Sequence, residues 1–92
     1  MTNCIAPTPA APADAVSVTE WDCDGMRGFL GTERTTGAGV RVDVVGTQRA
    51  DGSVERVIVP DLSAAGGGLT AAQAMDLIHV LADAVTELEG LR

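Results

Sequence analysis

Two cysteines, Cys4 and Cys23, and one histidine, His79, are the side chains whose types lend themselves to nucleophilic or soft-metal chemistry. Their number and spacing argue against both. A structural zinc site takes four Cys or His ligands at close spacing, and three scattered ones do not supply it. A Cys–His pair needs thiol and imidazole within hydrogen-bond reach. Cys23 is expected to point into the core from a strand and His79 to lie on the outward side of a helix, so the two cannot meet. His79 follows Asp76 by three residues and precedes Asp83 by four. The three can share a helix face as an ion-paired or pH-responsive patch, although a plain solvated face is the simpler reading. Gly66-Gly67-Gly68 stands ahead of a helix start, where backbone N–H groups can cradle a phosphate. It lacks the Lys and Ser/Thr of a Walker loop and is followed by a separate capping box, so it reads as a linker. No catalytic, cofactor-binding or metal-ligating residue is expected, and the chain is not expected to be an enzyme.

The elements that would position a site are better marked. Thr70 and Gln73 have the spacing of a capping box, and Gly90 stands where a left-handed C-terminal cap belongs. Between them Ala74, Leu77, Ile78, Leu81, Val85 and Leu88 recur at three- and four-residue steps as one apolar stripe, with Asp76, His79, Asp83 and Glu87 opposite. The sequence predicts one amphipathic helix over 70–89. Upstream, Asp24-Gly25 and Asp51-Gly52 each separate two extended apolar runs, the signature of two-residue hairpin turns. Thr35-Thr36-Gly37-Ala38-Gly39 would link the two hairpins. Two-residue turns place Trp21 opposite Gly28, Thr19 opposite Leu30, Gly46 opposite Val57 and Val44 opposite Val59. Side chains then alternate between faces. One face collects Trp21, Cys23, Met26, Leu30, Val40, Val42, Val44, Val57 and Val59, and the helix should cover it. The expected fold is therefore α+β: a four-stranded antiparallel meander with one C-terminal helix packed on one face.

The other sheet face holds Val16, Val18, Phe29, Val45 and Ile58 among charged residues. A contiguous apolar group with a charged rim is a candidate interface. Val18, Phe29, Val45 and Ile58, rimmed by Arg27 and Arg56, are the residues expected to carry it, most simply in a homodimer.

Ninety-two residues allow one domain, and 46% hydrophobic residues make it globular. Residues 1–15, with Pro7, Pro9 and Pro12, read as a flexible Pro/Ala-rich arm, leaving 16–92 as the domain. One Trp, one Phe and no Tyr leave a thin core of Val, Leu, Ile and Ala. The net charge is -7 and there is no Lys, so direct binding of nucleic acid or of an anionic membrane is disfavoured. No run approaches the ~20 apolar residues that cross a bilayer, and no secretory signal is evident. Cys4 and Cys23 are expected as free thiols in a reducing cytoplasm, with a bridge open to them only if the arm docks.

The run Phe29-x-Gly31-Thr32, then Val40-Arg41-Val42 and Gly46-Thr47-Gln48-x-x-Asp51-Gly52-x-Val54-Glu55-Arg56-x-Ile58-Val59 with its intervening residues, then Leu69-Thr70-x-x-Gln73-Ala74, resembles small uncharacterised proteins of mycobacteria and their phages. Those proteins carry a valine-rich hairpin and a closing helix that begins with Leu-Thr and Gln-Ala. The resemblance covers roughly residues 28–89. The chain departs from it after Gln73-Ala74, where Met75-Asp76 replace the usual Arg or other polar residue. The resemblance implies an actinobacterial or actinophage origin and no particular activity. Two functions are expected to compete. One is a small non-catalytic interaction or regulatory protein that binds itself or a host or phage protein. The other is an acidic nucleic-acid mimic that inhibits a host enzyme, and only this one should weaken steeply with salt.

Overall fold

Three hairpin loops of equal length lay out the sheet. In each, a residue on the incoming strand donates its N–H to a carbonyl four positions on: Asp22 to Met26 at 2.8 Å, Thr36 to Val40 at 2.9 Å, Arg49 to Ser53 at 2.9 Å. The third loop residue is a glycine at positive φ in every case, Gly25 at 79°, Gly39 at 85° and Gly52 at 90°. Its N–H returns to the carbonyl of the incoming residue, at 3.2, 3.0 and 2.9 Å respectively. This is the three-residue loop in which a left-handed residue, best supplied by glycine, completes the turn. Side chains brace the loops: Asp22 Oδ1 accepts from the Asp24 and Met26 N–H groups, Thr36 Oγ1 from Val40 and Asp51 Oδ1 from Ser53.

The computed structural model describes residues 8–91. The elements are β1 (Ser17–Val18), β2 (Met26–Thr35), β3 (Arg41–Arg49), β4 (Val54–Asp61), a short 3-10 turn (Ser63–Ala65) and α1 (Ala71–Gly90). The strands form one antiparallel sheet in the order β1-β2-β3-β4, so the α+β fold holds. Contacts divide the chain into two compact units. Unit 1 holds the described residues up to Thr32 together with Val45–Val57. Unit 2 holds Glu33–Val44 together with the described residues from Ile58 onward.

The loops correct the expected register. A two-residue Asp51-Gly52 turn would pair Ala50 with Ser53, but the loop is Ala50-Asp51-Gly52 and Arg49 pairs with Ser53 instead. A slip of one residue moves every β4 side chain to the opposite face. Ile58, expected outside, therefore packs against Val42 and Val44. Val57 and Val59, expected under the helix, are 54% and 43% exposed. On the first hairpin Ser17 stands opposite Leu30 and Val18 opposite Phe29. The Thr19 N–H reaches the Gly28 carbonyl at 2.9 Å, so Gly28 lies beside Thr19 and not under Trp21.

The core of unit 2 is Val42, Val44 and Ala84, all fully buried, with Ile58, Leu77, Val80, Leu81 and Leu88 packed against them. Val40, also expected inside, is fully buried too. The α1 capping box forms as its sequence directs: Thr70 Oγ1 accepts from the Gln73 N–H at 3.2 Å, and Gln73 Oε1 accepts from the Thr70 N–H at 2.9 Å. Such a cap is worth ~0.5–2 kcal/mol. The other end differs from expectation. Gly90 is the last helical residue, and Leu91, at φ -95°, closes the helix by donating to the Leu88 carbonyl. The buried stripe is also rotated from the expected one. Val80 and Ala84 belong to it, whereas Ile78 and Val85 do not.

Candidate functional site

In unit 1 the polar residues gather around three side chains that grip the segment before β1. Arg56 makes a two-pronged pair with Asp14, Nε to Oδ2 at 3.0 Å and one terminal nitrogen to Oδ1 at 2.6 Å. Paired nitrogens and oxygens of this kind are among the strongest side-chain contacts. The guanidinium also lies 5.5 Å from the centre of the Phe29 ring. The hydrogen bond from Arg56 is the largest reason that the Asp14 carboxyl sits below its ordinary value of 3.8. Gln48 is buried and uses both ends of its amide. Its Oε1 accepts from Arg27 Nε at 2.8 Å, and its Nε2 donates to the Ala10 carbonyl at 2.8 Å. Arg27 also donates to the Pro9 carbonyl at 3.2 Å and lies 4.4 Å from the centre of the Trp21 ring.

Phe29 is buried because Gly46 leaves room for it. A Cβ at Gly46 would clash with the tip of the Phe29 ring and lie 2.7 Å from the Glu55 carbonyl oxygen. Two open hollows, about 410 and 320 Å³ in volume, border the same part of unit 1. Thr19, Glu20, Asp22, Arg27 and Thr47 line the larger. Val18, Phe29 and Val45 border the smaller, which is mostly apolar.

The six residues expected to form one outer interface are thus distributed differently. Phe29 is buried, Val45 is half-buried, and Val18 alone among the four apolar residues stays exposed on unit 1. Ile58 belongs to the core cluster of unit 2. Arg27 and Arg56 are engaged with Pro9 and Asp14 of the same chain. Residues 8–15 of the expected flexible arm supply those contacts, and residues 1–7 of it lie outside the described residues. Trp21, expected in the helix core, is half-buried with Arg27 over its ring.

The free-thiol expectation is overturned at Cys23, which is disulfide-bonded; Cys4 lies outside the described residues. Among the described residues no group of three or more His, Cys, Asp or Glu side chains is placed to hold a metal ion. Asp76, His79 and Asp83 are exposed, whereas Glu87 turns inward and pairs with Arg34 at 2.8 Å. Asp43 takes Arg41 on Oδ2 at 3.0 Å and keeps its buried Oδ1 without a hydrogen bond.

Unit 2 offers a surface that the expected face assignment hid. Met75, Ile78 and Val85 are 54%, 55% and 47% exposed along α1. With Ala71 and Ala82, which are exposed as well, they follow one another at alternating steps of four and three residues. That is the spacing of a helix-pairing seam. Exposed Asp76, His79, Asp83 and Thr86 run along one flank of it. The pattern stood in the sequence, but two of its residues had been counted into the buried stripe. Comparison with protein-family models, with curated proteins and with solved structures finds no match to this chain.

Proposed function

We propose that this chain is a small non-catalytic interaction protein that works by pairing through the outward stripe of α1, first of all with a second copy of itself. The observation that carries the reading is the exposure of Met75, Ile78 and Val85 on a helix whose opposite stripe is already packed. Large apolar side chains aligned at helix-pairing spacing stabilise a complex when a second helix covers them, at ~25 cal/mol per Å² of apolar surface. Ala71 and Ala82 are small enough to let the partner helix approach between the larger residues. The interface expected on Val18, Phe29, Val45 and Ile58 is replaced by this one, because burial and the β4 register disperse those residues.

Light scattering tests it. The wild-type chain should show a dimer mass at ~100 μM, since weak complexes of this size have dissociation constants in the micromolar range. Ile78→Glu should return it to a monomer without loss of helix content. Added salt should favour the dimer, because each copy carries -7 and the exposed Asp76 and Asp83 flank the seam. An acidic nucleic-acid mimic would respond oppositely, losing its basic partner as salt rises. A monomer at every salt concentration would sink the self-pairing reading.

Among the described residues no helix is long and apolar enough to cross a membrane. The expectation of a reducing cytoplasm rested on free thiols and on the lack of an evident secretory signal or membrane-crossing run, and the Cys23 disulfide removes the first of these grounds. Such bonds persist in oxidising compartments, which we take as the better reading of where the folded chain works. Iodoacetamide labelling of protein taken directly from the source cell should leave Cys23 unmodified until a reductant is added. Complete labelling without reductant would restore the cytoplasmic reading.

A further inference from the structure

Two copies of α1 can pair in the same or in opposite directions, and the exposed stripe distinguishes the two. Its residues differ in size along the helix: Ala71, Met75, Ile78, Ala82 and Val85, with exposed Glu89 at the next step of four. In the same direction each residue meets its own copy. Met75 then crowds Met75 and Ile78 crowds Ile78, while Ala71 and Ala82 face alanines across gaps that nothing fills. In opposite directions two registers near the helix centre keep the steps of three and four in phase. One sets Met75 against Ile78 of the second copy, and it leaves Val85 facing position 68, ahead of the first helical residue Ala71. The other sets Met75 against Val85 and Ile78 against Ala82, with the two-fold axis at the middle of the helix. In it Ile78 enters beside a small residue, and the whole stripe is covered.

The charges at the helix ends agree with the second register. A helix is stabilised by acids near its N-terminus and bases near its C-terminus. The first turn of α1 holds no acid and the last turn no base. Its acids stand at the wrong end, Glu87 and Glu89, of which Glu87 turns inward to Arg34 at 2.8 Å. In the second register Glu89 of each copy comes beside Ala71 of the other, at the N-terminus that lacks an acid. Same-direction pairing instead gathers both copies of Glu89 at the negative end.

We propose that the partner of α1 is α1 of a second copy running antiparallel, in the register that sets Met75 against Val85 and Ile78 against Ala82, with each Glu89 capping the other's N-terminus. This rests on the self-pairing reading and adds the direction, the register and the role of Glu89.

Nitroxide labels at two exposed positions beside the seam, introduced by Ala72→Cys and Thr86→Cys in separate full-length chains, read the direction. Wild-type protein treated with the same maleimide label is the blank for the native cysteines. In the antiparallel pair, labels on Ala72→Cys alone should lie about 25 Å apart, given 1.5 Å of rise per residue. Mixing the two labelled chains should bring position 72 of one to within about 10 Å of position 86 of the other, the spacing of packed helices. Glu89→Arg should weaken the dimer about three-fold or more, the smaller end of the dipole effect lost at both N-termini. The reverse order of distances in a chain that is dimeric by light scattering would overturn the antiparallel pair while self-pairing stands. So would a dimer that Glu89→Arg leaves unchanged or tightens. A dimer with both distances beyond about 40 Å, far more than the spacing of packed helices, would place the contact off α1 and overturn both readings. A monomeric mass would overturn self-pairing itself and this proposal with it.

Discussion

Asp14 contributes to stability only while it is charged. Its carboxyl is held below 3.8 in the folded chain, chiefly by the hydrogen bond from Arg56. The folded form therefore binds a proton less readily than the unfolded one. The contribution is complete above 3.8 and is lost as the pH falls through the lower folded value. A carbon-detected titration of the Asp14 carboxyl should have its midpoint below 3.8, and Arg56→Gln should move it upward. An unchanged midpoint in the variant would mean that the pair seen here is not the cause. Little of this was legible in the sequence. Arg56 and Arg27 stood out as charges, but Asp14 is forty-two residues from Arg56. A Pro/Ala-rich segment has no periodicity to announce that it docks. Gln48 stood only as one letter of the resemblance and carried no chemical signal, because a buried amide is recognisable only once both of its partners are placed.

The elements were more readable than their register. The Thr70 and Gln73 spacing identified the start of α1, since a capping box is local and needs no tertiary context. The Asp-Gly pairs identified where the chain reverses, but not how many residues the reversal takes. The same glycine can be the second residue of a two-residue turn or the last of a three-residue loop. That single residue decides which side of β4 faces the helix, and it separated Ile58 from Val57 and Val59. The loop geometry is open to direct measurement. Gly52 has φ 90° with open space around its missing Cβ, so Gly52→Ala should cost only the left-handed penalty of ~1–2 kcal/mol. Gly37, which also has open space and no positive φ, should tolerate alanine within ~0.5 kcal/mol. Urea unfolding of the two variants compares them. Equal costs would argue against the three-residue loops.

For the whole molecule the thin core shapes what it can do. The fully buried large side chains are Val40, Val42 and Val44, so little apolar surface is hidden by the chain alone. The amphipathic pattern of α1 could be read from its sequence, but its orientation could not. A helix with apolar residues on more than half its circumference admits several buried stripes, and only packing against Val42, Val44 and Ile58 selects one. The stripe left over is the one assigned here to self-pairing. The most direct measurement is an amide NMR dilution series of the wild-type chain from about 500 to 5 μM, a range that brackets a micromolar dissociation constant. Signals of Ala71, Met75, Ile78, Ala82 and Val85 should shift together with concentration, while those of Arg27, Gln48 and Arg56 stay still. Shifts centred on Val18, Phe29 and Val45, or no shift on α1 across the series, would contradict the account.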